Sequence, residues 1–341
     1  MVPALAVADA LRADGHEVSF AGGERAEAEL VPAAGYELRT LRVEGLSRTN
    51  PLKAARAALR AVAAVVAARR MVRELRPDVV LGGGGYVAGP VGLAAVLGKV
   101  PLVLTEADSH LGLTNRLLAG RARRVCLAFP IEGRTGERYR VTGRPVPDPS
   151  EDRAAARARF GLAGEDTCLL VFGGSLGARS VNEAAIAAWP QDPGFRVLHA
   201  SGVRDHAALA ARVPGAWYDL RPYIDAFGDA LAACDLCLAR AGGSIFEIAA
   251  HRRPAILVPY PHAAADHQNG NARWMAEGGA AVVVPDDELT PERVRAEVGS
   301  LLGDAGRLAA MGAAAAALAR PHAARDIARE VASAAGEPVA A

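Results

Sequence analysis

Apolar runs of strand length alternate with longer stretches of helical periodicity through most of the chain. VPALAVADALRADGH (Val2 to His16) spaces its apolar residues as one face of a helix, and EVSFAGG follows as a strand. Next come a long helix from Leu52 to Leu75, the strand DVVLGGGG, a helix from Gly89 and the strand PLVLTEA. Such alternation predicts parallel strands joined by crossover helices. A helix that leads with no strand in front of it is out of step with that repeat, so an additional strand ahead of Val2 is expected.

The rhythm breaks at VTGRPVPDPSEDR (Val141 to Arg153), which is rich in proline and charge and therefore suits a linker. It then restarts as CLLVFGG, RVLHASG, WYDLRPY, DLCLARAGG, PAILVPY and AAVVVP, six strands with helices between them. The expected fold is α/β, with two doubly wound, Rossmann-like domains whose parallel sheets face a cleft. Residues 1–145 form the first domain, 146–322 the second, and 323–341 a helix and tail returning to the first. The Ala-rich stretch from Pro291 to Ala335 keeps spaced Leu, Val and Met residues, as packed helices do.

Composition narrows the function classes. The chain has 341 residues, 51% of them hydrophobic and 23% charged, with a net charge of +1, so it is globular and offers a nucleic acid no general attraction. Ala61 to Ala68 is bounded by arginines, the uncharged stretch from Val79 to Gly98 is broken up by glycines and Pro90, and Met1 to Asp14 has no basic leader, so neither a membrane span nor a signal peptide is expected. Cys234 and Cys237 have C-x-x-C spacing but no second pair, and they run into an apolar strand. They are expected to be buried structural thiols.

Candidate chemistry lies where parallel strands end, because ligands of open α/β sheets bind beyond the carboxyl ends and helix N-termini favour anions there. Four segments have the strand–turn–helix form: Gly82 to Tyr86, Gly173 to Ala178, Ala241 to Ser244, and the end of VPYPH leading into Asp266, His267 and Gln268. Three belong to the second half. Neither G-x-G-x-x-G nor G-x-x-x-x-G-K-[ST] occurs at any of them, so a nucleotide is expected, but not a nicotinamide cofactor or a P-loop triphosphate. Glu247, three residues after Ser244, suits either the paired hydroxyls of a ribose or the dipole of its own helix.

FGGSLGARSVNEA (Phe172 to Ala184), ARAGGSIFEIAA (Ala239 to Ala250) and VPYPHAAADHQNGNA (Val258 to Ala272), with VPALAVADAL, GGYVAGPVGLAA and GLTNRLLA in the first half, resemble glycosyltransferase family 28. The resemblance extends over essentially the whole chain and implies the GT-B fold. It implies transfer of N-acetylglucosamine from UDP-GlcNAc, with inversion, to the 4-hydroxyl of the muramyl sugar on undecaprenyl-pyrophosphoryl-MurNAc-pentapeptide. By that likeness Ser175 and the turn of Gly242, Gly243 and Ser244 face the diphosphate, as does Arg144. Ile224 meets the uracil, Glu247 the ribose and Gln268 the GlcNAc. Tyr86, Glu106 and Asp108 belong to the acceptor half, with Glu106 and Asp108 the candidate bases for the hydroxyl and Asp108 also standing where the family has an amide that contacts UDP-GlcNAc. No Asp-x-Asp pair ends a strand, so departure of UDP without a metal or other cofactor is expected.

The chain departs from the family at three places. Thr105-Glu106-Ala107-Asp108 stands where the family has H-E-Q-N, Gly143 to Pro147 where it has G-N-P-V-R, and the turn before Glu247 is one residue shorter. The family also places a strand and a G-G-T-G-G-H loop ahead of the segment matching Val2 to Leu11, so an upstream start is expected. A lipid acceptor implies peripheral attachment at the cytoplasmic membrane face. Lys53, Arg56, Arg60, Arg69, Arg70 and Arg73 on the long helix suit an anionic surface, or equally a solvated crossover helix. Three alternatives stay open: transfer to another acceptor, epimerisation of UDP-GlcNAc, and binding of the nucleotide sugar without turnover.

Overall fold

The computed structural model describes residues 1–41, 51–263 and 266–336, and the side chains of 51–61 lie outside the described part. Of the basic residues on the long helix, Lys53, Arg56 and Arg60 therefore fall outside it. The chain divides into two compact units, one of Met1–Val146 with His322–Ala341, the other of Pro147–Pro321.

The first unit runs α1 (Val2–Ala13), β1 (Ser19–Gly22), α2 (Ala26–Ala33), β2 (Glu37–Thr40), α3 (Pro51–Leu75), β3 (Val80–Gly82), α4 (Gly85–Gly98), β4 (Leu102–Glu106), α5 (Leu113–Leu118), β5 (Arg124–Leu127) and β6 (Tyr139–Val141). The second contains α6 (Arg153–Arg159), β7 (Cys168–Phe172), α7 (Arg179–Ala188), β8 (Arg196–Ala200), α8 (Val203–Ala210), β9 (Tyr218–Arg221), α9 (Phe227–Ala233), β10 (Leu236–Arg240), α10 (Ile245–Ala250), β11 (Ala255–Val258), α11 (His267–Glu277), β12 (Ala281–Val283), α12 (Pro291–Leu302) and α13 (Ala305–Leu318). The last helix, α14 (Ala323–Ala335), belongs to the first unit.

Every strand pair is parallel. In the second unit the order is β12-β11-β10-β7-β8-β9, a doubly wound sheet whose direction of winding reverses between β7 and β10. Its strands are mainly apolar, with β7, β10 and β11 buried at every position, as a sheet covered by helices on both faces demands.

The first unit's strands form two separate sheets, β1-β2 and β3-β4-β5-β6. A cavity of about 1060 Å³ lies between them, lined by both and by α1, α4 and α14. Ile327 and Val331 of α14 pack with Val7 and Leu11 of α1 over Val103 and Cys126 of the sheet. Glu330 then fixes the helix by an ion pair to Arg124 at 2.9 Å.

Four elements differ from the sequence expectation. α4 starts at Gly85, not Gly89, because Gly84 and Gly85 take φ of 78° and 77° and turn the chain into the helix early. β2, β5 and β6 lie outside the sequence expectation, being only three or four residues long; β2 and β6 have half-buried or exposed residues, whereas β5 is buried at three of its four positions. Cys234 and Cys237 are buried with Sγ atoms 3.7 Å apart. Burial holds the Cys237 thiol well above its ordinary range, which suppresses the thiolate that redox exchange requires.

Candidate functional site

In the second unit the winding reversal brings two glycine turns side by side. Ala239 of β10 pairs with Phe172 of β7, so the Gly173–Gly177 loop after β7 and the Gly242–Ser244 turn after β10 leave adjacent strand ends. Arg240 pairs with Val258 of β11, so the Pro259–Gln268 segment leaves the same edge. Ser175 is exposed, while Gly242, Gly243, Ser244 and Glu247 are half-buried, Glu247 standing on α10.

Close backbone approach fixes the first loop. Gly177 and Gly202 both have positive φ, 77° and 79°, and a methyl group on Gly202 would lie 2.6 Å from the Gly177 Cα. Below them lies a buried polar floor: Asn182 Nδ2 donates to the Ser201 carbonyl at 2.9 Å and to Asp205 Oδ2 at 3.3 Å. That leaves Asn182 Oδ1 to accept from His199 Nε2 at 3.0 Å, and His199 Nδ1 to accept from the Tyr218 hydroxyl at 2.8 Å. The network thus specifies a neutral imidazole. Burial lowers the His199 pKa to about 3 and pushes the Tyr218 phenol upward.

The third segment is tied to the second. Gln268 Oε1 accepts the Tyr260 N–H at 2.9 Å, folding the start of α11 back on the strand end. Asn271, one turn on and buried, donates to the Ala241 carbonyl at 2.9 Å and thereby pins the glycine turn. Ile224 follows β9 at the same carboxyl edge, but it is only 5% exposed.

In the first unit Glu106, at the end of β4, is buried and its carboxylate is surrounded by donors. Oε1 accepts the N–H groups of Ala107 and Asp108 at 3.0 and 3.2 Å. Oε2 accepts Gly112 N–H at 2.7 Å and Asn115 Nδ2 at 2.9 Å. Four donors thus hold the carboxylate as an acceptor, and Glu106 anchors the loop. Asp108 is half-buried in the loop that Glu106 ties. Tyr86 projects from the first turn of α4 and is 64% exposed. Arg144 is half-buried beside Gly143 at the rim of the cavity and belongs to this unit, whereas Ser175 and the Gly242–Ser244 turn belong to the other.

Asn115 and Asn271 were passed over in the sequence. Their signal was a polar residue on the inward side of a helix, visible in LTNRLL and HQNGNA only once the helix phase is known.

Two family models match the chain: the glycosyltransferase family 28 N-terminal domain over residues 1–127 and the family 28 C-terminal domain over residues 168–330. Among curated relatives, the UDP-N-acetylglucosamine–N-acetylmuramyl-(pentapeptide) pyrophosphoryl-undecaprenol N-acetylglucosamine transferase of Moorella thermoacetica is 44% identical, over 94% of this chain and 92% of its own length. The protein of that name from Ectopseudomonas mendocina is 40% identical over 96% of this chain and 94% of its own. Among solved structures, Acinetobacter baumannii MurG aligns with a TM-score of 0.82 and 29% identity, covering 97% of this chain and 95% of its own. A Listeria monocytogenes protein described as a UDP-N-acetylglucosamine 2-epimerase shares the fold at a TM-score of 0.70 and 15% identity, covering 97% and 92%.

Proposed function

The chain belongs to glycosyltransferase family 28, and from that premise we infer that it is the N-acetylglucosaminyltransferase that moves GlcNAc from UDP-GlcNAc to undecaprenyl-pyrophosphoryl-MurNAc-pentapeptide in peptidoglycan synthesis. The observation that carries this is likeness at 44% identity to a transferase of that activity across both units, not across the nucleotide-sugar half alone.

The second unit supplies the donor site. Three turns meet at its winding reversal, where an open parallel sheet receives a nucleotide. Ser175 and the Gly242–Ser244 turn take the diphosphate, Glu247 the ribose hydroxyls and Gln268 the sugar. Ile224 supplies a buried apolar support for the base and not an open face. The first unit supplies the acceptor site, with Tyr86 on it. Attack by the acceptor 4-hydroxyl on the anomeric carbon breaks the bond to UDP, and the hydroxyl proton passes to a base. Asp108 takes that proton, since Glu106 is already spent on holding the loop. Negative charge developing on UDP is met by oriented donors, and the chemistry requires no metal.

A lipid acceptor supports a peripheral position at the cytoplasmic membrane face. Among the described residues no single helix is long and apolar enough to cross a membrane, though α12 with the helices after it forms a bent apolar pair by length and composition. Val62, Val66, Arg69 and Arg73 recur at helical spacing on the outer side of α3, the two valines 64% and 65% exposed. Apolar side chains beside arginines suit the headgroup boundary of an anionic membrane.

The test is UDP release from UDP-GlcNAc with and without the muramyl lipid. Release that depends on the lipid and yields a GlcNAc–MurNAc product supports the reading. Equal conversion of UDP-GlcNAc without the lipid overturns it in favour of an epimerase.

A further inference from the structure

Arg240 closes β10 immediately before the Gly242–Ser244 turn, a charged residue at the end of an apolar strand and only 9% exposed in its side chain. Its guanidinium reaches three separate segments. Nη1 lies 3.2 Å from the Val258 carbonyl and 3.1 Å from that of Pro259, at the start of the segment leading to Gln268. Nη2 donates to Ser180 Oγ at 2.7 Å, in the first turn of the helix that follows the Gly173–Gly177 loop. The plane lies 5.4 Å from the Tyr260 ring, whose backbone N–H is held by Gln268. Asp286 completes the cluster, its Oδ1 accepting from Arg240 Nη1 at 2.7 Å and from Ser180 Oγ at 2.6 Å.

We propose that Arg240, with Asp286 and Ser180, is a positioning centre that holds the three donor-binding turns in mutual register, without touching the nucleotide sugar itself. The proposal rests on the reading of the second unit as the donor half. Only a forked, planar cation can serve acceptors on β11, α7 and the segment after β12 together; an ammonium on a flexible stem offers no such fixed geometry. A buried ion pair is a poor source of stability, because desolvation cancels much of its attraction, and replacing both partners by apolar residues is often neutral. The pair is better explained by the geometry it imposes. Residues around a site must themselves be locked if the site is to hold its shape, and Arg240, itself adjoining the Gly242–Ser244 turn, ties the Val258 and Pro259 carbonyls to the Ser180 hydroxyl that follows the first loop.

This separates positioning from simple structural support by experiment. In the Arg240→Met/Asp286→Leu double variant the charges leave together, so the melting temperature stays near that of the parent while KM for UDP-GlcNAc rises at least tenfold and kcat falls less. Ser180→Ala keeps the ion pair and removes one arm, raising KM severalfold. Arg240→Lys keeps the charge and loses the fork, and it gives an intermediate KM that Arg240→Met does not recover. Direct UDP-GlcNAc titration accompanies the kinetics. If the parent binds the nucleotide sugar and folded variants bind it equally well, the positioning role is overturned and the donor site stands. If the parent does not bind it, both fall.

Discussion

Arg240 in the second unit and Glu106 in the first do the same task with opposite charge. The buried guanidinium gathers two carbonyl oxygens at the end of β11, the Ser180 hydroxyl of α7 and the Asp286 carboxylate, whereas the buried carboxylate gathers three backbone N–H groups and one side-chain amide. What each leaves over differs accordingly. Bracing by Arg240 consumes acceptors and leaves the N–H groups of the Gly242–Ser244 turn outside its network, where they suit an anion. Bracing by Glu106 consumes the N–H groups of its own loop, which leaves that loop suited to a hydroxyl-bearing ligand and a base, and not to a diphosphate. On the proposed function, the donor and acceptor halves of the reaction differ in the sign of the group buried under their turns.

The largest expected effect breaks the loop of the first unit. Glu106→Ala strands the donors of Ala107, Asp108, Gly112 and Asn115, and leaving buried donors unpaired costs on the order of 3 kcal/mol, roughly a hundredfold in kcat/KM when the loop carries the base. Asp108→Asn should lower kcat comparably with no change in melting temperature. A Glu106→Ala protein with parental stability and no turnover would make Glu106 the base and undo the comparison.

A second expected effect separates the units by pH. The buried histidines among the described residues, His199 and His251, both lie in the second unit, and burial lowers both pKa values. Each is favoured neutral in the fold, so the stability it confers is complete above about 6.5 and is lost as pH falls toward the folded value, about 3 for His199. Stability should decline by roughly 1.4 kcal/mol per pH unit below 6.5 from His199 alone. All three tryptophans, Trp189, Trp217 and Trp274, lie in the second unit, so fluorescence-monitored denaturation at pH 7 and pH 5 reports it directly. His199→Leu should flatten the dependence; a parental midpoint unchanged between those two pH values would refute the assignment.

The glycine turns were legible in the sequence because strand–glycine–helix is a local pattern, and so were the six strands of the second sheet, whose apolar runs carry their own signal. The braces were not. Arg240 stands in LARAGG like any polar residue leaving a strand, and only the pairing of β10 with β11 and the return of the chain at Asp286 show what surrounds it. Glu106 was legible as a carboxylate of interest, but its role depends on Asn115 nine positions on, which helix phase alone turns inward. Chemistry held by one turn can be read along the chain; chemistry held by three segments distant in sequence requires the fold.

The smallest expected effect sharpens the contrast at the surface of the first unit. Ala64, Ala68 and Val72 bury one side of α3 against α4, leaving Val62, Val66, Arg69 and Arg73 outward. Seating the two valines at a headgroup boundary contributes less than full burial, about 1 kcal/mol together, so Val62→Ser/Val66→Ser should weaken binding to phosphatidylglycerol vesicles about fivefold. Arg69→Gln/Arg73→Gln removes attraction of about 1 kcal/mol per charge at low salt, and its effect should vanish as salt rises, whereas that of the valine variant should persist. Vesicle cosedimentation measures both, and UDP-GlcNAc affinity should remain unchanged because the donor turns lie in the other unit. Parental cosedimentation of both variants would remove α3 from the membrane face and leave its arginines as a solvated edge.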